Sequence, residues 1–214
     1  NIYTGKSGKK TKTKDIQNEP KILVKYKETD QTHFVLGVRS FSIFDKRNTT
    51  IGLLSAVLGA GMSSRLFTKL REEMGVAYYV RSHNDTGLDH GVFQISAGVN
   101  NARAEEVLKE IINECNLLVN QKMSEKELKK VKSFIIGNTK MALEATDDIA
   151  SYYGGQELLK KGIKTLEEKI KEINKVTASD IQKMAKLLFK NKNLNLAIIG
   201  PIKNKTGLEK ILKF

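Results

Sequence analysis

The chain has a single cysteine among its 214 residues, Cys115, so no intrachain disulfide can form. No apolar run approaches the roughly 18 residues that a membrane span needs. No leader with a charged start, apolar core and small-residue cleavage site is visible. One cysteine and no visible leader favour a cytoplasmic setting. The chain opens on Asn1 rather than Met, so it is expected to begin inside a longer product or after processing. Arginine is scarce beside lysine, and aromatic residues do not interleave with the basic ones. The formal charge of +13 therefore does not outline a nucleic-acid surface. Residues 1–27 alone hold eight lysines against Asp15 and Glu19, a solvated lysine-rich stretch.

What is present suffices for a sizeable core. Hydrophobic residues make up 40% of the chain, ordinary for a soluble globular protein. Residues 1–19 are polar and read as a basic linker or arm, closed by Pro20. Ile22 to Tyr26 and Thr32 to Val38 read as strands, the second with Phe34, Leu36 and Val38 on one face. Thr49 or Thr50 is placed to cap a helix bearing Ile51, Leu53, Leu54, Val57 and Leu58, which Gly59 stops. Ser63 is placed to cap the next, with Leu66, Phe67, Leu70 and Met74 on one face and Gly75 at its end. Val76 to Ser82 and Gly91 to Val99 read as strands joined by a turn over Asn84 to His90.

The rest is mainly helical. Ala104 to Val119 repeats apolar residues at helical spacing, with Cys115 among them as a small apolar filler. Ser124-x-x-Glu127, Thr165-x-x-Glu168 and Thr177-x-x-Asp180 are capping signals. Thr146 with Asp147 and Asp148 starts a helix toward Leu159. The helix after Ser124 shows a face with Leu128, Val131, Phe134 and Ile135. Leu194 to Ile199 reads as a closing strand before Gly200-Pro201. Short strand–strand connections favour antiparallel pairing, so the expected class is α+β, an antiparallel sheet packed with helices over residues 20–214.

The chemistry is sparse. None of the histidines His33, His83 and His90 opens an H-x-x-E-H or H-E-x-x-H pattern. Such a pattern sets two zinc ligands on one helical turn beside a glutamate that activates bound water. His83, Asp85, Asp89 and His90 form either an oxygen-and-nitrogen metal cluster or a solvated group in and beside the expected turn, where acidic residues usually face water; the solvated reading is favoured. His33 sits opposite Phe34 and Leu36, at a structural or rim position. Gly59-Ala60-Gly61 before a serine makes a tight helix–helix turn or an anion cradle. It has neither the lysine nor the spacing of a P-loop. Arg71 lies one turn after Phe67, and Gly75 then leads into a strand carrying Tyr78 and Tyr79. Strand alternation puts those two tyrosines on opposite faces. Arg71 and Tyr78 together form either a structural pair or a set of donors for a peptide carbonyl or its oxyanion.

Leu58-Gly59-Ala60-Gly61-Met62-Ser63-Ser64-Arg65-Leu66, followed by Leu70-Arg71 through Gly75-Val76-Ala77-Tyr78, resembles the M16 zinc peptidases (pitrilysin, insulysin and mitochondrial processing peptidase type). Gln31 to Gly37, Val176 to Ile181 and Ile198 to Pro201 resemble further pieces of that family's C-terminal domain, in the right order. Ala60 departs from the family, where many members have glycine. The resemblance implies an M16 metallopeptidase-like (LuxS/MPP-like) domain without the zinc site. Zinc would sit in a partner or upstream N-terminal domain, and this segment would be inactive by itself. Arg71 and Tyr78 would contact a peptide substrate near the scissile bond, and the full protein would be a homo- or heterodimer. The alternative is a non-catalytic, core-protein-like structural subunit. A basic nucleic-acid-binding module is a third class that no motif supports.

Overall fold

The computed structural model describes residues 11–14, 16–159, 162–203 and 205–214. Of the arm expected over 1–19, residues 1–10 and 15 lie outside the described residues. The fold is α+β. Among the described residues, five strands form one sheet in the order β1-β5-β2-β4-β3. These are β1 (Lys21–Tyr26), β2 (Gln31–Ser40), β3 (Ala77–Thr86), β4 (Gly91–Asn100) and β5 (Leu194–Gly200). All pairs are antiparallel except β1 with β5, which run parallel. That pair departs from the antiparallel expectation. The closing strand inserts between the first two, so β1 and β2 are not neighbours although they are adjacent in sequence.

The helices are α1 (Asn48–Gly59), α2 (Arg65–Phe67), α3 (Ala104–Asn120), α4 (Glu125–Met141), α5 (Thr146–Leu159), α6 (Leu166–Lys175), α7 (Ala178–Leu188) and α8 (Lys205–Ile211). Phe34, Leu36, Phe93, Ile95, Val80, Leu196 and Ile198 are buried on the helix-covered face of the sheet. The alternate residues Val35, Arg81, His83 and Ala197 are exposed on the other face. Side-chain alternation thus makes a sheet with one dry face and one wet face. Ile51, Leu54 and Leu58 of α1 join Leu108 and Ile111 of α3 and Ile181 and Leu188 of α7 in one core. Cys115 is fully buried in that core, and burial pushes its thiol pKa up.

Several local expectations need correction. α1 starts at Asn48 after Arg47, and no side chain caps it. Ser64, not Ser63, flanks α2; its hydroxyl donates to the Gly61 carbonyl (2.8 Å) instead of capping the helix. β3 runs on to Thr86, which shortens the turn, and Gly87 N–H donates to the His90 carbonyl at 2.8 Å. The boxes at Thr165 and Thr177 form reciprocally. At Ser124 only the serine half forms, with Glu127 N–H donating to its hydroxyl (3.1 Å), because the Glu127 carboxylate is drawn away to Arg65. Phe134 on the expected apolar face of α4 is exposed at one edge. Its ring lies over Gly61, where an added Cβ would come within 2.8 Å.

Candidate functional site

The candidate site is the corner where α2 hands the chain to β3. After Phe67 the helix widens into a π turn over Thr68–Glu73, in place of the regular helix expected there. Met74 N–H reaches back to the Lys69 carbonyl (3.1 Å), and Val76 N–H reaches the Leu70 carbonyl (2.9 Å). Such turns are frequent at functional sites. Leu66 and Leu70 stay buried and pin the segment, which leaves Arg71 at the surface. Gly75 has a φ of +63°, a conformation that glycine adopts without a Cβ clash, and it turns the chain into β3.

Arg71 and Tyr78 meet at this corner, through the backbone. The Arg71 Nη1 donates to the Tyr78 carbonyl at 2.5 Å. Its guanidinium lies 5.4 Å from the Phe67 ring centroid, within cation–π range. The Tyr78 side chain is 53% exposed. The register of β3 against β4 slips between Ala77 and Tyr79, so Tyr78 is the extra residue of a β-bulge. Simple alternation between Tyr78 and Tyr79 therefore fails: neither is in the core. Tyr79 lies half-buried on the wet face of the sheet.

β3 is an edge strand, and its free edge faces the glycine turn. The Ser55 hydroxyl donates to the Ser82 carbonyl (2.7 Å), and the Ser82 hydroxyl donates to the Ser55 carbonyl (2.6 Å). An added Cβ on Gly59 would stand 2.5 Å from the Ser82 amide nitrogen. That close approach explains the first glycine of the turn, and the φ of +86° at Gly61 explains the second. The turn is thus a packing device. A cavity of about 430 Å³ opens between it and the strand, lined by Gly61, Phe67, Arg71, Tyr79 and Arg81. Arg71 borders this space; Tyr78 stands outside its lining.

Sequence reasoning missed the partnership of Tyr79 with His33. Their rings stack at 5.8 Å, and the Tyr79 hydroxyl lies 3.2 Å from His33 Nδ1. The two reach each other across Gly98 of β4, where a Cβ would meet the Tyr79 ring at 2.4 Å. A glycine in mid-strand between two aromatic positions was the available signal. It becomes readable only once strand order is known. Arg65 was also passed over. It forms a fork with Glu127 (2.7 and 2.8 Å) and approaches Glu114 at 3.6 Å. The hydrogen-bonded Glu127 raises the Arg65 pKa, while burial raises that of Glu114.

The histidines do not converge. His83 lies 3.2 Å from Asp85, and Gln94 Nε2 bonds both. His90 pairs with Asp89 (2.9 Å). Among the described residues no group of three or more His, Cys, Asp or Glu gathers to hold a metal. No helix among the described residues is long and apolar enough to cross a membrane.

The architecture is that of an M16-type peptidase domain, and the sequence agrees. The chain belongs to the peptidase M16 family, matching the peptidase M16 inactive domain over residues 3–135. It is 32% identical over 197 residues to the uncharacterized zinc protease YmxG of Bacillus subtilis, covering 92% of this chain and 48% of that protein. The uncharacterized zinc protease SCO5738 of Streptomyces coelicolor is 30% identical over 179 residues, covering 84% and 39%. A protease from Helicobacter pylori superposes with a TM-score of 0.80 at 25% identity, covering 86% of this chain and 45% of that one. The peptidase M16 inactive domain from Pseudomonas fluorescens gives 0.79 at 20% identity, covering 91% and 47%. The chain spans about half the length of the curated relatives it matches.

Proposed function

We propose that this chain is the substrate-contacting C-terminal domain of an M16-like zinc metalloendopeptidase. It completes the peptide-hydrolysing chamber of a zinc-bearing N-terminal domain or subunit and is inert alone. Residues 20–214 are that domain, and 1–19 are a basic arm. The observation that carries the reading is the exposed Arg71–Tyr78 corner beside an open cavity at a sheet edge.

A guanidinium carries five donors in a fixed plane. One of them holds the Tyr78 carbonyl, which fixes the orientation of the group. The remaining donors and the exposed tyrosine hydroxyl are available to the carbonyl oxygens of an extended peptide. Donors held in place before reaction stabilise charge that develops on such an oxygen without reorganising. The zinc, and the water it activates, belong to the facing domain; this domain orients the peptide and steadies the oxygen.

The test pairs the chain with its zinc-bearing half, native or Arg71→Ala, and measures kcat/KM for peptide cleavage. Loss of one such donor is expected to cost about 10²–10³-fold, roughly 2.7–4 kcal/mol of barrier. The melting temperature should hold, because Arg71 is a surface side chain. Equal rates would remove Arg71 from the chemistry. No cleavage by any native pairing would favour the structural-subunit alternative.

A further inference from the structure

The cavity of about 430 Å³ at the edge of β3 carries a charge pattern that a backbone contact from Arg71 does not use up. Its lining includes Met62, Phe67, Arg71, Tyr79, Arg81 and His83, and among the described residues no Asp or Glu belongs to it. Two guanidiniums therefore border one small space with no acid between them.

Arginines elsewhere in the fold are engaged differently. Arg47 is forked on Asp45, Arg65 on Glu127 and Arg103 on Glu106. Arg71 and Arg81 have no carboxylate partner among the described residues. Arg71 gives one N–H to the Tyr78 carbonyl and lies by the Phe67 ring. Arg81 makes a ring contact alone, its guanidinium 6.0 Å from the Tyr79 centroid. Such a contact does not consume the in-plane N–H donors.

The acids nearby are engaged or lie elsewhere. Asp85, two residues beyond His83 on β3, is met by His83 (3.2 Å) and by Gln94 Nε2 (2.6 Å). Glu73 is held by Lys69 at 2.9 Å. Glu72 follows Arg71 in the chain and stays outside the cavity lining. Strand alternation sets Arg81 on the wet face between Tyr79 and His83, and Tyr79 is itself tied to His33 at 3.2 Å. A strand of the sheet, not a loop, thus presents the free guanidinium.

From this pattern we infer that the cavity takes an acidic side chain of the bound peptide, Asp or Glu, whose carboxylate pairs with the Arg81 guanidinium. A planar fork of N–H donors matches the two oxygens of a carboxylate. Arg71 holds the peptide backbone, and Arg81 reads the side chain. Met62 and Phe67 offer an apolar wall to its methylenes. The net charge of +13 draws the same class of peptide toward the domain. The inference rests on the peptidase reading above and names the substrate class of that site.

The test reads peptide binding to the 214-residue chain by amide chemical-shift changes, so it does not require cleavage. The probes are acetylated and amidated pentapeptides, Ala-Ala-X-Ala-Ala, with X as Glu, Gln or Lys. The Glu peptide should bind saturably and about fivefold more tightly than the Gln peptide, the upper end for an exposed ion pair. Arg81→Gln should abolish that preference, and Arg81→Glu should turn it toward the Lys peptide. Arg71→Ala should weaken the Glu and Gln peptides alike. Both Arg81 variants should keep the native melting temperature, because the side chain is exposed. Unsaturable binding of the Glu peptide, equal affinity of the native chain for Glu and Gln, or a Glu preference that survives Arg81→Glu would each overturn the assignment. So would binding of the Gln peptide that improves as much when its C-terminus is left free, which would make the site a reader of chain ends. Cleavage with the zinc-bearing half decides the peptidase reading separately. Absent cleavage with the Glu preference intact counts against that reading and not against the acid site; cleavage with no preference does the reverse.

Discussion

Replacing Arg65 with methionine tests how the segment that carries Arg71 is fastened to the domain. Arg65 lies at the first turn of α2, and its fork on Glu127 ties that turn to α4; Glu114 adds a tie to α3. Side-chain exposures of 23% for Arg65, 28% for Glu127 and 13% for Glu114 put the cluster between the two regimes known for ion pairs. Fully exposed pairs contribute about 0–1 kcal/mol. Breaking a fully buried pair costs about 3–5 kcal/mol. Arg65→Met keeps the apolar stem and leaves Glu127 and Glu114 without their cation, so an intermediate loss of about 2 kcal/mol is expected. In a domain of this size that lowers the melting temperature by about 4–8 °C. A double-mutant cycle with Glu127→Gln, followed by urea denaturation, isolates the coupling. A coupling near 1–2 kcal/mol supports the argument. A coupling below about 0.3 kcal/mol, the scatter of independent sites, would show that the fork is a surface ornament and that α2 is held by Leu66 and Leu70 alone.

Three further outcomes follow from the same geometry. Gly59→Ala drives a Cβ to 2.5 Å from the Ser82 nitrogen, so β3 must move off α1; a loss of about 1–3 kcal/mol is expected in chemical denaturation, and an unchanged midpoint would contradict the close approach. Burial raises the Glu114 pKa, and Arg65 lowers it less. For an acid raised on folding, the contribution to stability is complete below the ordinary value of 4.5 and fades as pH climbs through the higher folded value. Glu114→Gln should therefore gain on the native protein as pH rises across that window, and a difference in melting temperature that stays flat with pH would refute it. The Cys115 thiol is buried and its pKa raised, so a thiol reagent should leave it untouched in the native state and label it fully in denaturant; rapid native labelling would place it outside the core.

The sequence by itself determined most of the elements. Apolar alternation in Thr32–Val38 and helical spacing in Ala104–Val119 each reflect a local periodicity, and that periodicity dictates which face of an element must be dry. The Thr165 and Thr177 caps were legible for a related reason: a box closes within four residues and needs nothing from elsewhere in the chain. The glycine turn and the Arg71–Tyr78 spacing were visible too, together with the family they resemble.

Tertiary structure alone decided the rest. β5 entered between β1 and β2 because strand order depends on which edges meet, a relation between residues 156 to 174 positions apart. The box at Ser124 lost its glutamate to an arginine 62 residues away. The π turn and the bulge at Tyr78 escaped the sequence because each shifts the count by one residue, and a hydrophobic pattern does not register a single added residue. His33 met Tyr79 only because a glycine on the strand between them left no side chain in the way. Long-range hydrogen bonds and steric approach are set by neighbours in space, and on those the order of residues is silent until the sheet has formed.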